Sequence, residues 1–187
     1  MQELRNANEE AAFALIQPRY YDNPLLLDTL WTHSRMVADM ALECIARRGI
    51  DVDADFVERA ALLHDIGIVM TDAPSIHCHG PLPYICHGVA GGEMMRGEGL
   101  EAYARVCERH TGAGLTAGDI RRQHLPLPPQ AFLPETIAEK LVCYADKFYS
   151  KSGDLCRRKS IDKVRSQMER HGDDTLARFD AMHLLFG

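Results

Sequence analysis

Four histidines and two aspartates are the side chains in this sequence best suited to metal chemistry. Imidazole and carboxylate groups are good ligands for divalent metals, and a carboxylate can also bridge two ions. Most of these residues are separated by roughly 20 to 40 positions, so only a bundle of several helices could gather them into one core site. In chain order they are His33, His64, Asp65, His87, His110 and Asp146.

Each of these residues also has an ordinary structural interpretation when it is taken alone. His33 lies on an apolar stripe and could be a hydrogen-bonded core histidine. His110 ends a predicted helix and could complement the helix dipole. His87 could lie on the surface, and Asp146 could be a paired core acid. It is improbable that all of these structural interpretations hold at once, because His64 also follows an apolar run that is typical of a buried helix.

The elements that must position these side chains are predicted to be helices. Apolar residues recur at intervals of three and four, and no segment alternates as a strand would. Asn23 and Pro24 form a helix-start signal, Gly49 an end signal, and Thr116 with Asp119 a capping box. Segment 71–86 is predicted to be a loop, and 125–134 a rigid connection. The predicted helices cover residues 4–16, 24–48, 53–67, 87–96, 100–110, 134–151, 160–170 and 174–186.

Composition limits the possible classes of protein. The 187 residues, 46% of them hydrophobic, are enough for one packed domain. A net charge of −6 argues against a protein that coats nucleic acid, although a metal can still attract an anionic substrate. No apolar run reaches the roughly 18 residues of a membrane span, and the N-terminus is a poor signal peptide. Six cysteines without a CxxC pair indicate reduced thiols in a cytoplasm.

The segment Ala61-Leu62-Leu63-His64-Asp65-Ile66-Gly67 resembles the signature of the HD superfamily in its HDIG form. An upstream His33 and a downstream Asp146 complete the pattern of that superfamily. His87 and His110 match its subset with two metals. Segments 108–114 and 134–146 are also similar to small HDIG phosphohydrolases of bacteria and archaea. The resemblance covers about residues 30–150 and does not reach the last two helices.

This resemblance implies an all-α HD-domain helical bundle with a metal site in its core. The single domain would span residues 1–187, with a core of about 24–151 and flanking helices at both ends. One ion would bind His33, His64, Asp65 and Asp146. The other would bind His87, His110 and the same Asp65, which is also the predicted catalytic residue. The cofactors would be two divalent ions, with iron, manganese, cobalt, nickel and magnesium left open.

The implied function is a phosphohydrolase for a small phosphorylated or nucleotide-like substrate, and the chain could form an oligomer. The alternative is a di-iron oxygenase of the HD branch related to myo-inositol oxygenase, because the six residues also resemble the ligand set of that branch. A non-catalytic metal-binding or regulatory domain is a third class. The GYP motif of cyclic-dinucleotide phosphodiesterases is absent, which argues against that substrate.

The cation that would bind substrate is not identified by the motif. Many HD phosphatases have a lysine directly after HDIG, where this chain has Ile68. Arg109 and Lys147 are candidates because they neighbour predicted ligands, although Lys147 could equally face solvent. The loop His77-Cys78-His79 could form a lid or pocket wall over the metals, in which His77 or His79 would supply a proton or an extra ligand, and His79 is the substrate-binding candidate. A small zinc site or an ordinary exposed loop are the other interpretations of that loop.

Overall fold

We describe the chain from a computed structural model, which covers residues 3–187. The fold is mostly helical, as predicted, and none of the helices in these residues is long and apolar enough to cross a membrane. The helices are α1 (Ala7–Tyr20), α2 (Pro24–Arg48), α3 (Ala54–Leu63), α4 (His87–Gly97), α5 (Glu101–Arg109), α6 (Ala117–Arg122), α7 (Ile137–Asp146), α8 (Ile161–Glu169) and α9 (Asp173–Phe186).

The longest helix, α2, begins and ends at the residues that the sequence predicts. Asn23 caps it by accepting a hydrogen bond from the Leu26 amide, and Pro24 is its first residue. Gly49 ends it in the left-handed conformation at φ 62°, where glycine has no Cβ to clash. The buried face of α2 packs against α3 and α7, and it carries His33 into the core.

Helix α1 is longer than predicted and continues through Pro18 to Tyr20. Proline removes only one amide near the end of a helix, so the last turn survives if tertiary contacts hold it. The Tyr20 hydroxyl supplies them, since it donates to the Ile66 carbonyl at 2.7 Å and accepts from the Val69 amide at 3.2 Å. The prediction that the helix ends before Pro18 is therefore wrong.

The segment predicted as a plain loop contains a small three-stranded sheet. Its strands are β1 (Thr71–Ala73), β2 (Cys78–His79) and β3 (Leu82–Pro83), in the order β2-β1-β3. β1 pairs antiparallel with β2 and parallel with β3. The prediction that the chain has no strand is wrong here, because two or three residues are too few to form an alternating pattern.

Gly67 lets the segment after α3 lie directly on the first turns of α4. A Cβ at position 67 would be 2.2 Å from the His87 carbonyl oxygen and 2.3 Å from the Gly91 amide nitrogen. Both neighbours are backbone atoms and cannot rotate away. The close packing of the 3₁₀ helix Ile66–Met70 against α4 therefore requires glycine, and it also sets the position of His87.

We expect Gly67→Ala to lower the free energy of unfolding by about 3 kcal/mol, because an added methyl group would force two backbones apart. Displacement of α4 should also reduce metal binding at His87. Gly97→Ala is the matched control, since its Cβ would meet nothing within 4 Å. Urea unfolding and metal analysis of both variants test this expectation, which is contradicted if the two behave alike.

Candidate metal centre

The six predicted ligands come together in the core from five helices. His33 lies within α2, His64 and Asp65 directly follow α3, His87 begins α4, His110 directly follows α5, and Asp146 ends α7. All six are buried. Their ligand atoms form two groups, each within 4.8 Å. The first group is His33, His64, Asp65 and Asp146, and the second is Asp65, His87 and His110.

Adjacent side chains on a regular helix diverge by about 100°, so His64 and Asp65 need a break in the helix to share a site. The structure has that break. α3 ends at Leu63, and Asp65 leaves the helical conformation at φ −106° and ψ 11°. A 3₁₀ helix then begins at Ile66. Both members of the doublet consequently face the same buried space.

Three of the histidines are oriented by backbone carbonyls. In each, Nδ1 lies close to the carbonyl of the residue three positions earlier. A carbonyl only accepts hydrogen bonds, so Nδ1 carries a proton in each of these rings, and Nε2 presents a lone pair to the site whenever the ring is neutral. The pairs are His64 with Ala61 at 2.6 Å, His87 with Tyr84 at 2.7 Å and His110 with Cys107 at 2.7 Å.

In the second group, two imidazole nitrogens meet without a proton between them. Nε2 of His87 lies 3.0 Å from Nε2 of His110. Burial lowers the pKa of His87 to about 3 and also lowers the pKa of His110, so both rings are neutral at pH 7. Two facing lone pairs repel each other, whereas a cation bound to both would remove that repulsion. This donor set therefore fits a metal ion.

Asp65 contacts both groups, using a different oxygen for each. Oδ2 lies 2.9 Å from His64 Nε2 and 3.2 Å from His33 Nε2. Oδ1 lies 3.3 Å from His110 Nε2 and 3.4 Å from His87 Nε2. A carboxylate that bridges two metal ions needs this division of its oxygens.

Several of these buried atoms lack a well-oriented hydrogen bond within residues 3–187. They include both carboxylate oxygens of Asp65 and Nε2 of His64. Leaving a buried polar group unsatisfied costs about 1–3 kcal/mol, and more for a charged one. Metal coordination would satisfy all three atoms, so the residues present fit a dinuclear centre.

The charges in the site also favour cation binding. Burial raises the pKa of a carboxyl group, but His64 and Lys151 hold the pKa of Asp65 well below its usual value. Burial likewise opposes charge on His64, yet Asp65 and Asp146 raise its pKa to about 9. Both carboxylates are thus ionised at neutral pH, and a proton on His64 partly balances them. A metal ion would displace that proton.

Lys151 is a site residue that the sequence analysis missed. Its Nζ lies 2.6 Å from Asp65 Oδ2 and 3.8 Å from Asp146 Oδ1. Burial opposes its charge, but the neighbouring carboxylates raise its pKa well above the usual value, so it remains a cation. α7 was predicted to continue to residue 151 and instead ends at Asp146, which lets the chain turn back. Ser152-Gly153 is a turn signal that the sequence analysis overlooked, although it does not show that Lys151 reaches the ligands.

Tyr84 was missed as well. Its ring stacks on the His87 imidazole with centroids 4.7 Å apart, and its hydroxyl lies close to the Lys151 ammonium group. Burial raises the pKa of Tyr84 to about 12, so the hydroxyl keeps its proton. The second ligand group therefore has a neutral phenol and an ammonium group beside it.

The three substrate-binding candidates lie in different places. Lys147 is largely buried, with Nζ 2.6 Å from Asp146 Oδ2 and donating to the His110 carbonyl at 2.9 Å. Arg109 lies outside both ligand groups, where its guanidinium pairs with Glu135 and Glu139 and donates to the Leu133 carbonyl. His79 is exposed on β2, opposite Asp72 of β1.

Comparison with known families agrees with this geometry, since the sequence profile of the HD domain matches residues 30–150. The chain belongs to the HD-domain family. It is thus a member of a superfamily of metal-dependent hydrolases, with two buried His/Asp groups consistent with a dinuclear site. The two C-terminal helices of this HD-domain protein, α8 and α9, lie beyond the matched region.

Relatives of this HD-domain protein occur in archaea. An uncharacterized protein of Methanocaldococcus jannaschii is 37% identical over 142 residues, which are 74% of each chain. Two tRNA (cytidine(56)-2′-O)-methyltransferases also match. The one from Picrophilus torridus is 34% identical over 63% of this chain and 31% of its own length. The one from Thermoplasma volcanium is 30% identical over 75% and 37%. No solved structure matches significantly.

Metal content should depend differently on the shared and unshared ligands. We expect two first-row ions per wild-type chain, at most traces in Asp65→Ala, and one ion in His110→Ala. His79→Ala is the control and should retain both ions, because His79 lies outside the ligand groups. Elemental analysis after anaerobic reconstitution measures all four proteins. Two ions retained in Asp65→Ala would exclude Asp65 as the bridge.

Proposed function

We propose that this chain is a cytoplasmic, metal-dependent phosphohydrolase that acts on a small phosphorylated or nucleotide-like substrate. The observation that carries the proposal is the arrangement of Asp65, whose two oxygens face two separate groups of buried ligands. A centre of this kind suits hydrolysis of a phosphoester or phosphoanhydride, because two ions can act on the attacking and leaving oxygens.

The chain would hold the centre with the six ligands already described. When bound, two divalent cations would supply an acidic water and offset the charge of a phosphate group. Asp65 would bridge the ions, while His87 and His110 stay neutral because burial lowers the pKa of each. Lys147 would orient the Asp146 carboxylate, because its ammonium group contacts Oδ2 of Asp146.

Lys151 supports the hydrolytic assignment. The place directly after the HDIG segment is occupied by Ile68, which is fully buried and cannot contact a phosphate. Lys151 brings an ammonium to the ligand Asp65 from a distant part of the chain. We propose that it binds a phosphate oxygen of the substrate. The missing lysine after the HDIG segment therefore does not argue against a hydrolase.

A hydrolase and an oxygenase with the same ligands differ in what they require. Hydrolysis needs Lewis acidity, which manganese or magnesium provides, whereas oxygen activation needs a redox-active metal. We therefore expect the manganese-loaded protein to release phosphate from at least one member of a phosphoester panel without oxygen. Turnover that requires both iron and oxygen, measured by oxygen uptake, would refute the hydrolase proposal.

Lys151→Gln should affect substrate more than metal. Loss of one charge-assisted contact of about 1.5–3 kcal/mol corresponds to a decrease in kcat/KM of about 10- to 100-fold. Metal content should not fall, because the ammonium competes with cations for Asp65. Lys140→Gln on α7 controls for loss of a lysine elsewhere. An unchanged kcat/KM, or loss of metal with Lys151→Gln, would contradict the proposed role.

A further inference from the structure

A polar cavity lies beside the predicted metal ligands. A cavity of about 390 Å³ lies between the end of α7 and the last turn of α8, and the ligand Asp146 forms part of its wall. Its lining is mostly polar, so it differs from the apolar pockets that usually bind hydrophobic ligands. Its lining includes one acid, four basic residues and one histidine, which are Asp146, Lys147, Lys151, Lys159, Arg170 and His171.

The segment that builds this wall has a charge opposite to that of the chain. Residues 147–171 contain eight lysines and arginines but only three acids, a net charge of +5 in a chain of −6. The remainder therefore has a net charge of −11. A concentration of positive charge in one concave region of an acidic protein raises the local concentration of anions.

Lys159 is held in place as a donor. Its Nζ donates to the Lys147 carbonyl at 3.1 Å and to the Tyr149 carbonyl at 3.0 Å. The Lys159 amide donates to the Phe148 carbonyl at 2.8 Å, which fixes the backbone as well. An ammonium has three hydrogens, so one remains for a ligand. The side chain does not have to lose rotamer entropy when an anion binds.

The cations of this cavity fall into two sets. Lys147 and Lys151 are paired with the ligand carboxylates Asp146 and Asp65. Lys159 and Arg170, in contrast, form no ion pair with a carboxylate within residues 3–187. A solvated basic face would carry flexible lysines on a convex surface. Here, instead, the half-buried Lys159 ammonium group lies in a cavity whose wall includes the predicted metal ligand Asp146.

We propose that this cavity binds a second phosphate group of the substrate, with Lys159 and Arg170 as its principal contacts. The inference rests on the proposed function, in which the reacting phosphate lies at the metal centre. It narrows the substrate class to small molecules with at least two phosphate groups. The cavity would bind the phosphate that is not hydrolysed and would position the other one at Asp65 and Asp146.

Binding of unreactive phosphonates tests this subsite without turnover. Calorimetric titration of the metal-loaded protein would compare α,ω-bisphosphonates of one to four methylenes with monophosphonates of equal chain length. We expect at least one bisphosphonate to bind 10-fold or more tightly than its monophosphonate. Lys159→Gln and Arg170→Gln should each remove most of that advantage, with unchanged metal content and unchanged monophosphonate affinity.

Arg165→Gln is the matched control, because Arg165 is on α8 with the same charge but pairs with Asp180 outside the cavity. Arg165→Gln should still bind the bisphosphonate more tightly than the monophosphonate, and an equal loss in this control would show a general charge effect and overturn the proposal. The proposal is also overturned if both cavity variants keep the tighter binding of the bisphosphonate, or if no bisphosphonate of any spacer length binds more tightly than its monophosphonate. A tetranucleotide RNA is a further probe. If it binds more tightly than every bisphosphonate, and Lys159→Gln removes that binding, the ligand of the cavity is RNA and the proposal of a small substrate is overturned.

Failure of the subsite and failure of the proposed function give different results. If monophosphonates bind only when metal is present, and no bisphosphonate binds more tightly, the subsite is excluded while the metal-dependent phosphate site remains. If no phosphonate binds the metal-loaded protein at all, the proposed function fails as well. Arg170→Gln is informative even if Lys159→Gln unfolds, because Arg170 is exposed.

Discussion

The burial of the Asp65 carboxylate is the constraint on which the rest of the site depends. An ionised carboxylate without solvent is expensive unless cations or hydrogen-bond donors surround it. Four imidazoles and Lys151 approach its two oxygens, yet neither oxygen has a well-oriented hydrogen bond within the described chain. The core is thus arranged around a negative charge that divalent cations would stabilise.

The helices meet this constraint mainly at their ends. Most of the ligands are the first or last residue of a helix or directly follow one, where the backbone can change direction. The break after α3 is the clearest case, because it turns His64 and Asp65 toward the same space. Gly67 then allows α4 to approach closely enough for His87 to reach Asp65. Local backbone geometry, rather than flexible side chains, determines the distances.

Lysines outside the ligand set offset part of the negative charge of the site. Lys147 and Lys151 neutralise part of the charge of the two aspartates, and Lys159 extends the positive region away from the centre. The cationic segment follows α7 directly and lies mostly outside the region that the HD-domain profile matches. The predicted metal ligands and the cations that we propose as substrate contacts are therefore carried largely by different parts of the chain.

Much of this protein follows from its sequence. The ligand types, the HDIG segment and the caps at Asn23 and Gly49 are local signals, and they predicted the all-α fold and the six residues that meet in the core. Tertiary structure alone decided the place of Lys151, the pairing of Arg109 with Glu139 and the extension of α1 through Pro18. Long side chains and helix ends depend on which neighbours the folded chain brings near, and residue type does not encode those neighbours.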